Sequence, residues 1–210
     1  KTVLLTATPY RNDLKLFRIA DPSKSVFHFT HHQAESKGII RKVAFEELPN
    51  TGTISQISAD FAKFWRSSKA TRRLPSKKPK AIVCCGNAAE IEHVVTALQS
   101  AGLNAIGIHE RFESESRRGL YKEVPDPGVE RAEIWVHQHK LTEGLDSAQF
   151  CCVAFFTPMR NDRKLIQQLG RILRRSKTDR NAPALVVAPS RYIVEAQWEA
   201  YREYEIDNNL

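Results

Sequence analysis

Hydrophobic positions along this chain alternate between two patterns. Short apolar runs at residues 3–6, 26–30, 81–85, 104–108, 133–136, 150–156 and 184–188 read as buried strands, while 39–47 alternates weakly, as a strand on a sheet edge does. Between these runs the apolar residues recur at helical spacing. Residues 9–19 place Leu14, Phe17 and Arg18 on one face, and 31–37 is a short polar helix. Ile54, Ile57, Phe61, Phe64 and Trp65 form one stripe on a helix over 53–68, made for a core or a partner groove. Further helices fall at 87–100, with Asn87 as its cap and Ala101-Gly102 as its stop, and at 114–122, 162–173 and 191–204. A proline-rich turn occupies 124–129.

Strands alternating with helices of ten to fifteen residues predict βαβ units: an α/β fold with a parallel sheet and helices on both faces. Ligands of such sheets bind at the carboxyl ends of the strands, so chemistry is expected there. The best linker is 67–80, where Arg72, Arg73, Lys77, Lys78 and Lys80 surround Pro75 and Pro79. It reads as a solvated loop or as a contact to nucleic acid.

Composition narrows the class. With 41% hydrophobic and 27% charged residues the chain is an ordinary globular one, and no apolar run reaches the ~18 residues of a membrane span. The four cysteines form two adjacent pairs, Cys84-Cys85 and Cys151-Cys152, without the spacing of a zinc knuckle. Adjacent strand residues point to opposite faces, so these read as buried thiols in a reducing, cytoplasmic setting; no metal ligand set is evident. The formal charge of +8, from 32 Lys and Arg against 24 Asp and Glu, suits a polyanionic partner. The chain opens inside a strand at Lys1, which reads as a piece of a longer protein.

Four segments follow predicted strands. Thr6-Ala7-Thr8-Pro9-Tyr10-Arg11-Asn12-Asp13 is an ST-turn and helix start, or a coupling segment. Gly107-Ile108-His109 precedes Arg117 and Arg118. In Leu141-Thr142-Glu143-Gly144-Leu145-Asp146 the glycine admits close approach, and the aspartate can accept from a ribose hydroxyl or from an arginine of its own domain. In Gln167-Gln168-Leu169-Gly170-Arg171-Ile172-Leu173-Arg174-Arg175, helical spacing puts Gln167, Arg171 and Arg174 on one face, which Gly170 leaves open. Two guanidiniums on one edge can hold a polyphosphate, and they also suit a plain basic helix end.

In order, these segments resemble the later motifs of superfamily 2 helicases, in the branch that resembles type I and type III restriction subunits. Residues 6–9 are similar to motif III, 81–87 to motif IV, 141–146 to motif V and 167–174 to motif VI, Q-x-x-G-R-x-x-R. Thr157-Pro158-Met159-Arg160 is similar to a segment typical of the branch. The resemblance implies a RecA-like, P-loop NTPase-like second helicase domain at 79–190. It implies the end of a first such domain at 1–25, a connecting segment at 26–78 and a closing helix at 191–210. It implies that Arg171 and Arg174 are arginine fingers to ATP, with Gln167 on the nucleotide face and Gly144, Asp146 and Gly170 beside the nucleotide. Gly86, Asn87, His109, Arg117, Thr142 and Glu143 would line the nucleic-acid track, and Thr6 and Thr8 would couple hydrolysis to movement.

Two departures stand out. Gln138, between His137 and His139, occupies a position that is often threonine in the superfamily. No G-x-x-x-x-G-K-[ST] and no D-E-x-H or D-E-x-D occurs, so ATP and Mg2+ would be held mainly by a first domain upstream. The expected function is the trailing motor domain of an ATP-dependent helicase or translocase on nucleic acid, DNA more than RNA. The alternatives are a non-catalytic nucleic-acid-binding module and the motor subunit of a restriction-type nuclease.

Overall fold

The computed structural model describes residues 29–49, 52–75, 78–113, 119–142, 145–175, 182–192 and 194–207. The strand expected at 3–6 and the helix at 9–19 lie outside them.

The described chain runs through helix α1 (His31–Ser36), strand β1 (Val43–Leu48), α2 (Ile54–Ala70), β2 (Lys80–Cys84), α3 (Ala88–Ser100), β3 (Ala105–Ile108) and β4 (Leu120–Tyr121). It continues through β5 (Ile134–His137), a 3-10 turn (Lys140–Thr142), β6 (Phe150–Phe155), α4 (Asp162–Ile172), β7 (Ala184–Pro189), a second 3-10 turn (Ser190–Tyr192) and α5 (Glu195–Asp207). The strands form one seven-stranded sheet in the order β1-β7-β6-β2-β5-β3-β4, parallel at every pairing. Central strands such as β2, β5, β6 and β7 are buried throughout, which is why they read as continuous apolar runs.

α2, α3 and α4 each start on a side-chain cap. Thr53 accepts from the Gln56 N–H, Asn87 from Glu90 and Asn161 from Lys164, each satisfying a donor without an intrahelical partner. The stripe on α2 packs on one face of the sheet with α3: Ile57, Phe61 and Trp65 join Ile91, Val94 and Leu98 over Val83, Val136 and Ala154. Leu165, Leu169 and Ile172 of α4 and Trp198 of α5 cover the other face, over Ile82, Trp135 and Val186. Each large apolar side chain buried this way contributes about 1.5–3 kcal/mol. The strand and helix that the sequence division puts in a connecting segment are thus built into the sheet and core. β1 is the edge strand beside β7, as its weak alternation suggests.

Some expectations are corrected. Residues 120–121 are not helical; they form β4 against Gly107 and Ile108. The last helix starts at Glu195, because residues 190–192 first close a 3-10 turn. Cys84 and Cys85 part to opposite clusters, but Cys151 and Cys152 fall in the same one. A register shift is the reason: Lys80 faces Phe150 while Ala81 faces Cys152, leaving Cys151 as the inserted residue.

α1 is pinned to α5 by polar contacts. The His31 N–H donates to Glu205 Oε2 at 3.0 Å, and the Tyr201 hydroxyl donates to Glu205 Oε1 at 2.7 Å. Burial pushes the Glu205 carboxyl up, but the His31 ring, 2.9 Å from Oε1, outweighs it together with these contacts and holds it below its ordinary range.

Candidate functional site

The candidate residues divide between the two ends of the sheet. Parallel strands place every strand start at one edge and every strand finish at the other. Gly86, Asn87, His109 and Gln138 follow β2, β3 and β5 and lie at the carboxyl edge. α4 leaves the carboxyl end of β6 and returns, so Arg171 and Arg174 reach the amino edge, where Ile40 bridges Arg174 and the Ala184 N–H donates to Lys42 O. The arginines therefore do not share the carboxyl edge, contrary to the expectation that all the chemistry lies there. A six-residue strand spans about 20 Å, which is the scale of the separation.

At the amino edge, Gln167, Gly170, Arg171 and Arg174 are half-buried, while Leu165, Ile166, Gln168, Leu169, Ile172 and Leu173 are buried. The expected face holds on the helix for Gln167 and Arg171; Arg174 lies past the end of α4 and joins Arg171 at a shared acceptor. Arg171 Nη1 donates to Leu145 O at 2.9 Å, and Arg174 Nη1 donates to the same oxygen. Arg174 Nε lies 2.8 Å from Asp146 Oδ1. The arginine of its own domain is one of the two partners open to Asp146 in sequence. The Asp146 side chain is 85% exposed, so this ion pair is screened and weak, on the order of 0.2–1 kcal/mol. Two guanidiniums against one carboxylate leave a positive excess, which favours an anion. A Cβ at Gly170 would meet nothing within 4 Å.

Arg41 was not legible as a site residue. It is 2% exposed, and its Nε donates to Arg174 O and its Nη2 to Ala148 O, both at 2.8 Å. In sequence it is one basic residue in a weakly alternating run, with no spacing that marks it.

At the carboxyl edge a hydrogen-bonded chain joins three loops. His109 Nδ1 accepts from the Arg111 N–H at 3.1 Å, so the ring proton sits on Nε2, 3.0 Å from Gln138 Oε1. The Gln138 amide donates to Gly86 O, and the Gly86 N–H donates to Glu90 Oε2 at 2.7 Å. Asn87 Nδ2 donates to Glu90 Oε1 at 3.0 Å. Gln138 ties His109 to Gly86. Asn87 is also the cap of α3, which fixes its side chain.

Thr6, Thr8, Arg117, Glu143 and Gly144 lie outside the described residues, and of Thr142 only the backbone, in the 3-10 turn, is described. Among the described residues no group of three or more His, Cys, Asp and Glu is placed to hold a metal ion. Cys84 Sγ lies 3.5 Å from His137 Nε2, yet this pair is no nucleophile and base. Burial pushes the thiol far up and lowers the imidazole to about 3, so both stay neutral.

Two solved structures share this arrangement. A fragment described as an HsdR subunit of a type I restriction enzyme from Vibrio vulnificus matches 91% of this chain, with a TM-score of 0.63 and 16% identity. The ATP-dependent Type ISP restriction-modification enzyme LlaBIII bound to DNA matches 96%, with a TM-score of 0.54 and 15% identity. What these structures share with this chain is the fold. It is the RecA-like α/β arrangement of helicase domains, with helices on both faces of a parallel sheet. This chain spans 40% and 16% of the lengths of those two chains. No family model matches it. No curated protein matches it. Among the described residues, no helix is long and apolar enough to cross a membrane.

Proposed function

We propose that this chain is the second motor domain of an ATP-dependent helicase or translocase on nucleic acid, DNA rather than RNA, with Arg171 and Arg174 as its arginine fingers. One observation carries the reading: both guanidiniums converge on Leu145 O beside an exposed, weakly bound Asp146, with open space at Gly170. An incoming polyphosphate offers these guanidiniums ionised acceptors and bidentate geometry, which one neutral carbonyl oxygen does not. The arginines would turn from Leu145 to the γ-phosphate and neutralise charge growing on the transferring group.

ATP and Mg2+ are held, in this reading, mainly by a first RecA-like domain. The share of this chain is the cationic wall, with Gln167, Gly170, Gly144 and Asp146 at the nucleotide. Gly86, Asn87, His109, Arg117, Thr142 and Glu143 form the track, and Thr6 and Thr8 couple the two. The printed description of the LlaBIII complex with DNA supports the choice of DNA. The restriction-enzyme origin of both matched structures supports a motor subunit of a restriction-type nuclease as the setting.

In a protein that joins this domain to a phosphate-holding one, Arg171→Ala is expected to lower nucleic-acid-stimulated ATPase by ~10³–10⁵-fold while ATP binding persists. Near-normal turnover would sink the assignment. A second reading, a nucleic-acid-binding module without hydrolysis, is favoured by the +8 charge and by a carboxyl edge built independently of the arginines. Both readings predict salt-sensitive binding, with a log–log slope of about −3 to −4 for four phosphate contacts. ATPase that depends on Arg171 separates them.

A further inference from the structure

The last carbonyls of α4 have no intrahelical partner, as at any helix end. Residues 38–41 meet the chain where α4 ends: Arg41 satisfies the carbonyl of the cap residue Leu173, and the further bonds lie just past the helix. The Arg41 N–H donates to Leu173 O at 2.8 Å, its Nε donates to Arg174 O at 2.8 Å, and the Arg175 guanidinium donates to Gly38 O. Ile40 adds an isolated antiparallel bridge to Arg174. Another bond runs to a different segment: Arg41 Nη2 donates to Ala148 O at 2.8 Å, at the end of the loop that presents Leu145 and Asp146. One buried side chain thus holds both halves of the arginine corner.

Taking a guanidinium out of water is costly unless well-placed acceptors repay it. The acceptors here are main-chain carbonyls from two segments, and the planar fork of arginine sets their separation. An ammonium has no such fork. We infer that Arg41 is a positioning residue for the Arg171–Arg174 pair: it fixes the main chain at Arg174 and Ala148 so that both guanidiniums meet at Leu145 O. It touches no phosphate itself. Because Arg41 belongs to the segment entering β1, a shift of that segment changes the aim of the arginines. The inference rests on the arginine-finger reading only for its phosphate consequence.

The test uses the 210-residue chain, with guanidinium proton–nitrogen NMR signals of Arg171 and Arg174 and a titration with inorganic triphosphate. Arg41→Met and Arg41→Lys are compared with Gly107→Ala. A Cβ at Gly107 would lie 2.6 Å from Ile91 Cγ2 and 2.9 Å from Leu120 Cδ2, so that control weakens the fold away from the corner. The expected result is slow exchange of both arginine signals in the parent and in Gly107→Ala. Both Arg41 variants, still folded, lose it and bind triphosphate about tenfold more weakly, as expected when converging groups lose alignment. Retention of the slow-exchanging signals in folded Arg41→Met overturns the inference. If that variant does not fold, Arg41→Lys alone decides by the same two outcomes. Lost signals in a chain whose parent binds no triphosphate would end the phosphate reading and leave the positioning role standing.

Discussion

His137 shows how burial, more than any neighbour, sets a protonation state. It is fully buried at the end of β5, with Nδ1 accepting from the Leu141 N–H at 3.2 Å, and desolvation lowers its pKa from 6.5 to about 3. The unfolded chain therefore binds a proton below pH 6.5 that the folded chain does not. Stability from this group is complete above pH 6.5 and falls as pH drops toward 3, by up to about 1.4 kcal/mol per pH unit inside that window. Urea midpoints of the parent at pH 7.5 and pH 5 should differ by more than those of a folded His137→Gln variant. Equal acid sensitivity in both would place the titration elsewhere. In sequence His137 and His139 look alike; only the first points into the core.

At the scale of elements, α4 was the most legible. The spacing of Gln167 and Arg171 and the opening at Gly170 follow from helical geometry, whereas Arg174 lies past the end of α4 and joins Arg171 through Leu145 O. Gly170 is costly to the helix and is not needed for packing within this domain. Gly170→Ala is expected to stabilise the isolated chain by about 0.5–1 kcal/mol, read as a higher thermal midpoint. A lowered midpoint would mean that the described space is filled. β4 and the start of α5 were misread for a common reason. Short segments at an edge or a helix start take their conformation from the strand or turn beside them, and Leu120 and Tyr121 pair with β3 over two positions only.

For the whole molecule, the return of α4 puts the arginine corner and the His109–Gln138–Gly86 chain at opposite ends of the sheet. Their effects should therefore separate. In the two-domain protein, Gln138→Ala is expected to weaken nucleic-acid binding several-fold with ATP affinity retained, whereas Arg174→Ala lowers turnover with nucleic-acid affinity retained. A fall in nucleic-acid affinity from both variants would mean that the edges act as one surface.

The primary structure by itself determined the α/β alternation, the helical face of Gln167 and Arg171, and the Asn87 cap, because these depend on periodicity and local hydrogen bonding. It also determined the basic balance. The tertiary structure alone decided which sheet edge carries the arginines, that β1 lies beside β7, and that Asp146 pairs with Arg174. It alone revealed Arg41, whose partners Ala148 and Arg174 lie more than a hundred residues away. Long-range main-chain hydrogen bonds leave no period in a sequence, since any carbonyl can accept them.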